Sequence, residues 1–163
     1  MLRIGILIVS DRSASGVRPD RTGPELSDYI AELGWTVAAQ AILPDERAAL
    51  EAKLVEWADR ERLDIILTAG GTGLAPRDVT PDATRAVIER EVPGLAEAMR
   101  SAGRAQTPHA MLSRALAGVR GTTLIINLPG SPKAARESLM AIGPALPHAV
   151  QLLSQDPGAE DSH

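Results

Sequence analysis

Cysteine is absent from this 163-residue chain, and so is phenylalanine. The first absence removes disulfides, thiolate metal ligands and thiol nucleophiles together. It fits a cytoplasmic protein without requiring one. With two Trp, one Tyr and no Phe, the core must be built from Leu, Ile, Val and Ala. Positive charge is not in excess: the net charge is −4 and the pI is near 5.4. That balance argues against a nucleic-acid binder, while leaving room for a local basic pocket. Long hydrophobic runs are lacking too. The apolar start, Met1 to Val9, is too short to cross a membrane. It has no small-residue cleavage site and runs straight into polar residues, so it reads as a first strand. Familiar catalytic signatures are missing: no G-x-x-x-x-G-K-[ST], no G-x-G-x-x-G after a strand, no G-x-S-x-G and no HExxH.

What is present is an ordinary soluble composition, 44% apolar and 23% charged, with length enough for one domain. The domain is expected over residues 1–153, with a polar, flexible tail over 154–163. Leu2 to Val9, Leu63 to Ala69 and Thr122 to Leu128 are near-continuous aliphatic runs, the pattern of strands buried on both faces. Trp35 to Leu43 is a weaker strand. Between them lie amphipathic stretches. Thr22-Gly-Pro-Glu25 has capping-box spacing, and Leu26, Ile30 and Leu33 mark one helical face that Gly34 closes. Leu50, Leu54, Trp57 and Ala58 mark another, running to about Arg60. Pro81 sits at a first helical position. Pro93-Gly94 and Gly143-Pro144 break helices. Ala105 to Ala117 reads as loop with a turn of helix, and Gly118 to Gly121 as a turn that a short edge strand could flank. Strands alternating with helices give an α/β class with a mainly parallel sheet and helices on both of its faces, three layers in all.

The stretch Thr68-Ala-Gly-Gly-Thr-Gly-Leu-Ala-Pro-Arg-Asp-Val-Thr-Pro-Asp82 dominates the functional reading. A buried strand ends in a loop with three glycines in four positions, and a helix start follows. Glycines let a ligand approach backbone amides closely, and a helix N-terminus offers unpaired N–H groups to phosphate. Asn127-Leu-Pro-Gly-Ser-Pro-Lys133 repeats that grammar, with Ser131 as the cap. In an open α/β sheet the loops at strand carboxyl ends converge on one crevice. Four polar loops fall there: Ser10-Asp11-Arg12, Pro44-Asp45, Gly70 to Thr80, and Asn127 to Lys133. Carboxylates beside phosphate loops suit Mg²⁺, which takes one or two carboxylates plus substrate phosphates. Each residue also has a structural alternative. Asp45 is placed to cap a helix, and Asp78 to cap Thr80 through an Asx-type turn. Thr80 and Ser131 are caps in either reading. Asp82 suits a helix dipole. Lys133, Arg12 and Arg77 read equally as solvated charges. His109, His148 and His163 are scattered, and the two tryptophans read as packing.

The motifs "ILIVSDR", "LPDE", "TAGGTGLAPRDVTPDAT", "MLSRALAG" and "INLPGSPKAARESL", in that order, resemble the MogA/MoaB family of molybdenum-cofactor biosynthesis over nearly the whole chain. The resemblance implies a Rossmann-like α/β/α domain with an antiparallel edge element, assembled as a homotrimer, with hexamers in some MoaB-type members. It implies transfer of adenylyl from ATP to molybdopterin, releasing pyrophosphate, with Mg²⁺ required and the product handed to a molybdenum insertase. A molybdopterin-binding carrier or scaffold without catalysis is the alternative. By the same resemblance Asp45 and Asp78 are the essential, metal-holding carboxylates. The substrate-binding set comprises Ser10, Asp11, Gly70, Gly71, Thr72, Gly73, Thr80, Asp82, Ser113, Asn127, Leu128, Pro129, Gly130, Ser131 and Lys133. Neither nucleic acid nor membrane is an expected partner.

Overall fold

The computed structural model describes residues 1–158. Six strands form one sheet: β1 (Arg3–Val9), β2 (Thr36–Leu43), β3 (Ile65–Ala69), β4 (Arg90–Glu91), β5 (Ala117–Arg120) and β6 (Thr123–Leu128). Their spatial order is β2-β1-β3-β6-β5-β4. The first four in that order are parallel, and β5 and β4 close one edge antiparallel. The helices are α1 (Asp11–Ala14, a single turn), α2 (Thr22–Glu32), α3 (Arg47–Val55), α4 (Thr80–Val87), α5 (Pro93–Arg104), α6 (Pro132–Ile142) and α7 (Leu146–Leu153). A π-helical turn, Glu56–Arg60, extends α3. Among the described residues no helix is long and apolar enough to cross a membrane.

Strand alternation builds the three layers. Ile4, Ile6 and Ile8 of β1 face one side with Leu26 and Ile30 of α2 and Leu139 and Ile142 of α6. Leu7 and Val9 face the other with Leu50 and Leu54 of α3, Trp57, and Ala83 and Val87 of α4. β3 and β6 divide likewise, with Ile65, Leu67 and Ile126 on the first face and Ile66 and Ile125 on the second. Both tryptophans serve packing, as their spacing suggests. Gly5 leaves the room that one of them needs: a Cβ there would lie 2.8 Å from Cε3 of the Trp57 ring.

Several local expectations are corrected. The segment after Ser10 opens with an ordered turn, α1, because the Ser10 hydroxyl accepts the Ser13 N–H at 3.2 Å. Thr22 and Glu25 do not form a capping box. Asp20 takes that role, its carboxylate accepting the N–H groups of Thr22 and Gly23 at 3.0 and 3.1 Å. The Thr22 hydroxyl is thereby free to donate to the Gly130 carbonyl at 2.7 Å. Residues 118–120, read as turn, belong to β5, and the chain reverses at Gly121, where φ is +58°. The outermost strand is β4, just after α4. The flexible tail expected over 154–163 lies outside the described residues from 159 onward.

Candidate active site

The chain passes from β1 outward to β2, then returns to place β3 on the other side of β1. That reversal opens a crevice beyond the carboxyl ends of β1 and β3, the usual ligand position in such sheets. A recess of about 900 Å³ occupies it, bordered by Ser10, Asp45, Gly70, Gly71, Asp78 and Ser131 among others. The polar loops that the sequence places at strand ends therefore do converge.

The glycine loop is shaped by positive φ at Gly70 (+107°) and Gly71 (+66°), a region costly to residues with a Cβ. Space excludes a side chain as well. A Cβ on Gly70 would strike the Val9 carbonyl, and one on Gly71 the Thr80 hydroxyl. The loop runs against both carboxylates: that Gly71 Cβ would be 3.0 Å from Asp45 Oδ1, and a Gly73 Cβ 2.9 Å from Asp78 Oδ2. The second glycine loop touches the first. The Gly70 N–H donates to the Leu128 carbonyl at 3.1 Å, and a Gly130 Cβ would sit 3.2 Å from the Gly70 Cα.

Asp45 is not a helix cap. Glu46 precedes α3 without a side-chain cap bond, and the Asp45 carboxylate accepts the Asp11 N–H at 3.0 Å. The Asp11 carboxylate accepts the Asp45 N–H in return, also at 3.0 Å. Arg77 closes the arrangement with a two-pronged pair to Asp11, at 2.6 and 2.9 Å. Arg77 holds the Asp11 carboxyl below the ordinary carboxylate range. Asp45 is pushed the other way, chiefly by burial. Repulsion from Asp11 and Asp78 adds to the rise, against the opposing pull of the Asp11 N–H and Arg77. Asp78 does not cap Thr80; its Oδ2 accepts the Ala75 N–H at 3.0 Å.

Other predicted residues lie elsewhere. Thr80 is the first residue of α4 and not its cap. It is buried and donates to the Gly70 carbonyl at 2.9 Å, pinning the loop from beneath. Asp82 pairs with Arg114 at 3.1 Å. Leu128 is core. Lys133 lies outside the crevice wall, 78% exposed and 3.7 Å from Glu137. Ser131 alone caps as expected, accepting the Ala134 N–H at 3.3 Å.

Thr72, Gly73, Ser113, Asn127 and Pro129 instead border a second cavity of about 310 Å³. It lies across the glycine loop and is lined mainly by apolar groups, including Ala96, Met99, Ala110 and Leu112; His109 reaches it too. Asn127 has no solvent exposure. Its amide donates to Thr68 and Thr84 at 3.0 and 2.9 Å and accepts the Leu116 N–H at 3.2 Å. It fixes the cavity wall with its polar atoms already engaged.

Two features escaped the sequence reading. Arg114 grips the glycine loop from outside, donating to the carbonyls of Gly73 (2.9 Å) and Asp78 (2.5 Å) and to the Asp82 carboxylate. Nothing local to "MLSRALAG" signals this, since its partners lie 32 to 41 residues away. Arg18 and Arg21 border the crevice too, beside Arg12, which already stood in one of the strand-end loops. Three arginines in ten residues of an acidic chain was the available signal.

The donor set accommodates a divalent cation only in part. Among the described residues no group of three or more His, Asp or Glu side chains gathers as a metal site. Asp45 and Asp78 supply two crowded carboxylates. That suits Mg²⁺, which completes its octahedron with water and substrate phosphate.

A family model described as "Probable molybdopterin binding domain" matches residues 5–148. The chain belongs to that family. It is 42% identical over 154 residues to a protein of Helicobacter pylori named molybdopterin adenylyltransferase, the match covering 93% of this chain and 88% of that one. It is 45% identical over 156 residues to the Drosophila melanogaster protein named molybdenum cofactor synthesis protein cinnamon. There it spans 26% of the relative's length, using 95% of its own. Among solved structures, the molybdopterin biosynthesis enzyme MoaB of Thermus thermophilus superposes with a TM-score of 0.91 at 56% identity. That match covers 96% of this chain and 98% of the other.

Proposed function

We propose that this chain is a molybdopterin adenylyltransferase. The observation that carries the reading is the convergence of Asp45 and Asp78 on one glycine loop at the reversal of strand order. Relatives of similar length, matched over 93% of this chain, bear the name of that activity. In the reaction, an oxygen of the molybdopterin phosphate attacks the α-phosphorus of ATP. The new O–P bond forms as the bond from the α-phosphorus to the bridging oxygen breaks, and pyrophosphate leaves with that electron pair. Such transfer needs positioning and charge neutralisation more than a covalent nucleophile. The amides of Gly71 to Gly73 receive phosphate oxygens, the Gly70 N–H being held by the Leu128 carbonyl, and the Ser131 end of α6 receives another phosphate group. The apolar cavity beyond the loop takes one of the two planar rings. Asp45 and Asp78 would hold Mg²⁺, and the ion would supply charge neutralisation to the phosphate oxygens. We place the reaction in the cytoplasm and the chain in a homotrimer, a hexamer being the other family arrangement, with the product passing to a molybdenum insertase.

The test is incubation with molybdopterin and α-labelled ATP, scoring adenylylated molybdopterin by mass. Label in that product supports the reading. A protein that binds molybdopterin tightly yet forms no adenylylated product, and has no affinity for Mg·ATP, is a carrier instead.

A further inference from the structure

Three arginine side chains that border the crevice have no structural employment. Arg12, Arg18 and Arg21 all border it and all are exposed. Other arginines near the site are engaged: Arg77 with Asp11, Arg114 with Asp82 and two loop carbonyls. Among the described residues no carboxylate lies within ion-pair distance of Arg12, Arg18 or Arg21, although the chain carries more acidic than basic residues. The one carboxylate on the same loop, Asp20, is occupied in capping α2. The backbone gathers two of the three: the N–H groups of Val17 and Arg18 both return to the Arg12 carbonyl, at 3.0 and 3.3 Å. Gly16, with φ of +79°, allows that tight reversal. Arg21 follows at the start of α2, where it makes no side-chain cap bond. The loop is tied to the second glycine loop through the bond from Thr22 to Gly130.

We propose that Arg12, Arg18 and Arg21 form the recognition surface for a polyphosphate tail, binding the β- and γ-phosphates of the nucleotide and then the pyrophosphate that leaves. The proposal rests on the adenylyl-transfer reading and assigns the leaving group its place. Guanidinium groups match phosphate oxygens with paired donors and stay charged at every working pH. Three of them border the same recess as Asp45 and Asp78, so that recess offers both guanidinium donors and carboxylates. An extended anion that carries a cation near one end fits such a recess, and a single phosphate uses only part of it. As the bond to the bridging oxygen breaks, negative charge grows on the departing pyrophosphate, and the arginines stand where that charge collects.

The experiment measures calorimetric binding of inorganic pyrophosphate and of orthophosphate, each with Mg²⁺, to the full chain. The same titrations are run on Arg18→Gln/Arg21→Gln and on Arg104→Gln. Arg104 is an exposed arginine at the end of α5, outside both recesses, and controls for the loss of a surface positive charge away from the crevice. The expected result is pyrophosphate binding by the wild type that weakens at least about tenfold in the double variant and is unchanged in the control. That follows from losing two charge-assisted contacts. Orthophosphate should bind more weakly than pyrophosphate to the wild type. Equal binding of pyrophosphate by wild type and double variant overturns the assignment. Orthophosphate binding as tight as pyrophosphate also overturns it, since the loop would then hold one phosphate only. The labelled-ATP assay separates the two readings. Turnover with no pyrophosphate effect sinks this inference alone. Pyrophosphate binding with no turnover sinks the adenylyl-transfer reading and with it the leaving-group role.

Discussion

On one side of Gly70–Gly73 stand Asp45, Asp78 and three arginines around an open recess of about 900 Å³. On the other stand Ala96, Met99, Ala110 and Leu112 around a smaller cavity of about 310 Å³. The same four-residue loop forms part of both walls. The difference teaches how one segment can serve a substrate pair with charged and flat parts. The charged side mixes carboxylates, guanidinium groups and glycine-loop backbone with apolar surface, and so offers polar partners that the other cavity has few of. The apolar side can bury a ring and has little charge to offer. What keeps the two apart is the loop's shape, so substitutions can attack either wall or the partition between them.

Removing the charge from one wall should have the largest effect. Asp78→Asn preserves size and can still accept the Ala75 N–H that the carboxylate now holds. Adenylylation is expected to fall by at least about 10²- to 10³-fold, the usual loss for a preorganised electrostatic partner. Molybdopterin binding, measured by fluorescence titration, should stay within about threefold, because the apolar side is untouched. Near-normal turnover would remove Asp78 from the mechanism and leave the charged wall without its purpose.

The partition comes next. Gly71→Ala sets a Cβ against the Thr80 hydroxyl and Asp45 at a φ of +66°. Strain and overlap together should cost about 1–3 kcal/mol, a fall in Tm of several degrees. Because Thr80 pins the loop and Asp45 borders it, activity should drop by more than the stability loss explains. A variant with wild-type Tm and wild-type kcat would show that the loop's shape is incidental.

Arg114→Gln tests the grip on that partition from outside. It loses donors to the Gly73 and Asp78 carbonyls and the exposed pair with Asp82. Charged hydrogen bonds at a half-exposed site contribute about 1–2 kcal/mol. Urea unfolding should show a loss of that size, with kcat reduced about tenfold and KM for ATP changed less. A larger change in KM than in kcat would mean that Arg114 meets the nucleotide and does not merely set the loop.

The sequence exposes features whose cause is local. β1, β3 and β6 are legible because strands buried on both faces are continuous aliphatic runs. The Ser131-Pro132 start of α6 is legible because cap and helix adjoin. A short edge strand beside Gly121 was readable from the residues and its antiparallel sense from the resemblance, while the outermost strand, Arg90–Glu91, was not, since a two-residue strand has no period to read. Failures came where a side chain bonds across the fold. Thr22 looks like a cap, but its hydroxyl reaches a carbonyl 108 residues away. Thr80 looks like a cap and holds Gly70 instead, and Asp45 holds Asp11 34 residues back. Composition alone could not tell the engaged Arg77 from the unengaged Arg18 and Arg21, because the difference lies in which carboxylates come within reach.

The smallest expected effect isolates the strain in the charged wall. Asp45 has its carboxyl raised above the ordinary 3.8, first by burial and then by Asp11 and Asp78. A raised carboxylate means that the folded state binds the proton more tightly than the unfolded state does. Stability therefore falls as pH rises from about 3.8 through the folded value, and the penalty is complete at neutral pH. Asp45→Asn removes the charge while its side-chain oxygen can still accept the Asp11 N–H. At pH 7 its Tm should exceed the wild type by about 1–2 °C, a modest shift because the group is only half-buried and solvent screens much of the repulsion. The gain should vanish as pH drops below 4, while activity is lost at every pH. A divalent cation relieves the same repulsion, so Mg²⁺ should raise the wild-type Tm and leave the variant nearly unmoved. A variant less stable than wild type at pH 7 would mean that the Asp11–Asp45 exchange of hydrogen bonds outweighs the crowding. The carboxylates would then be a structural clasp first, and the two recesses would differ less than their linings suggest.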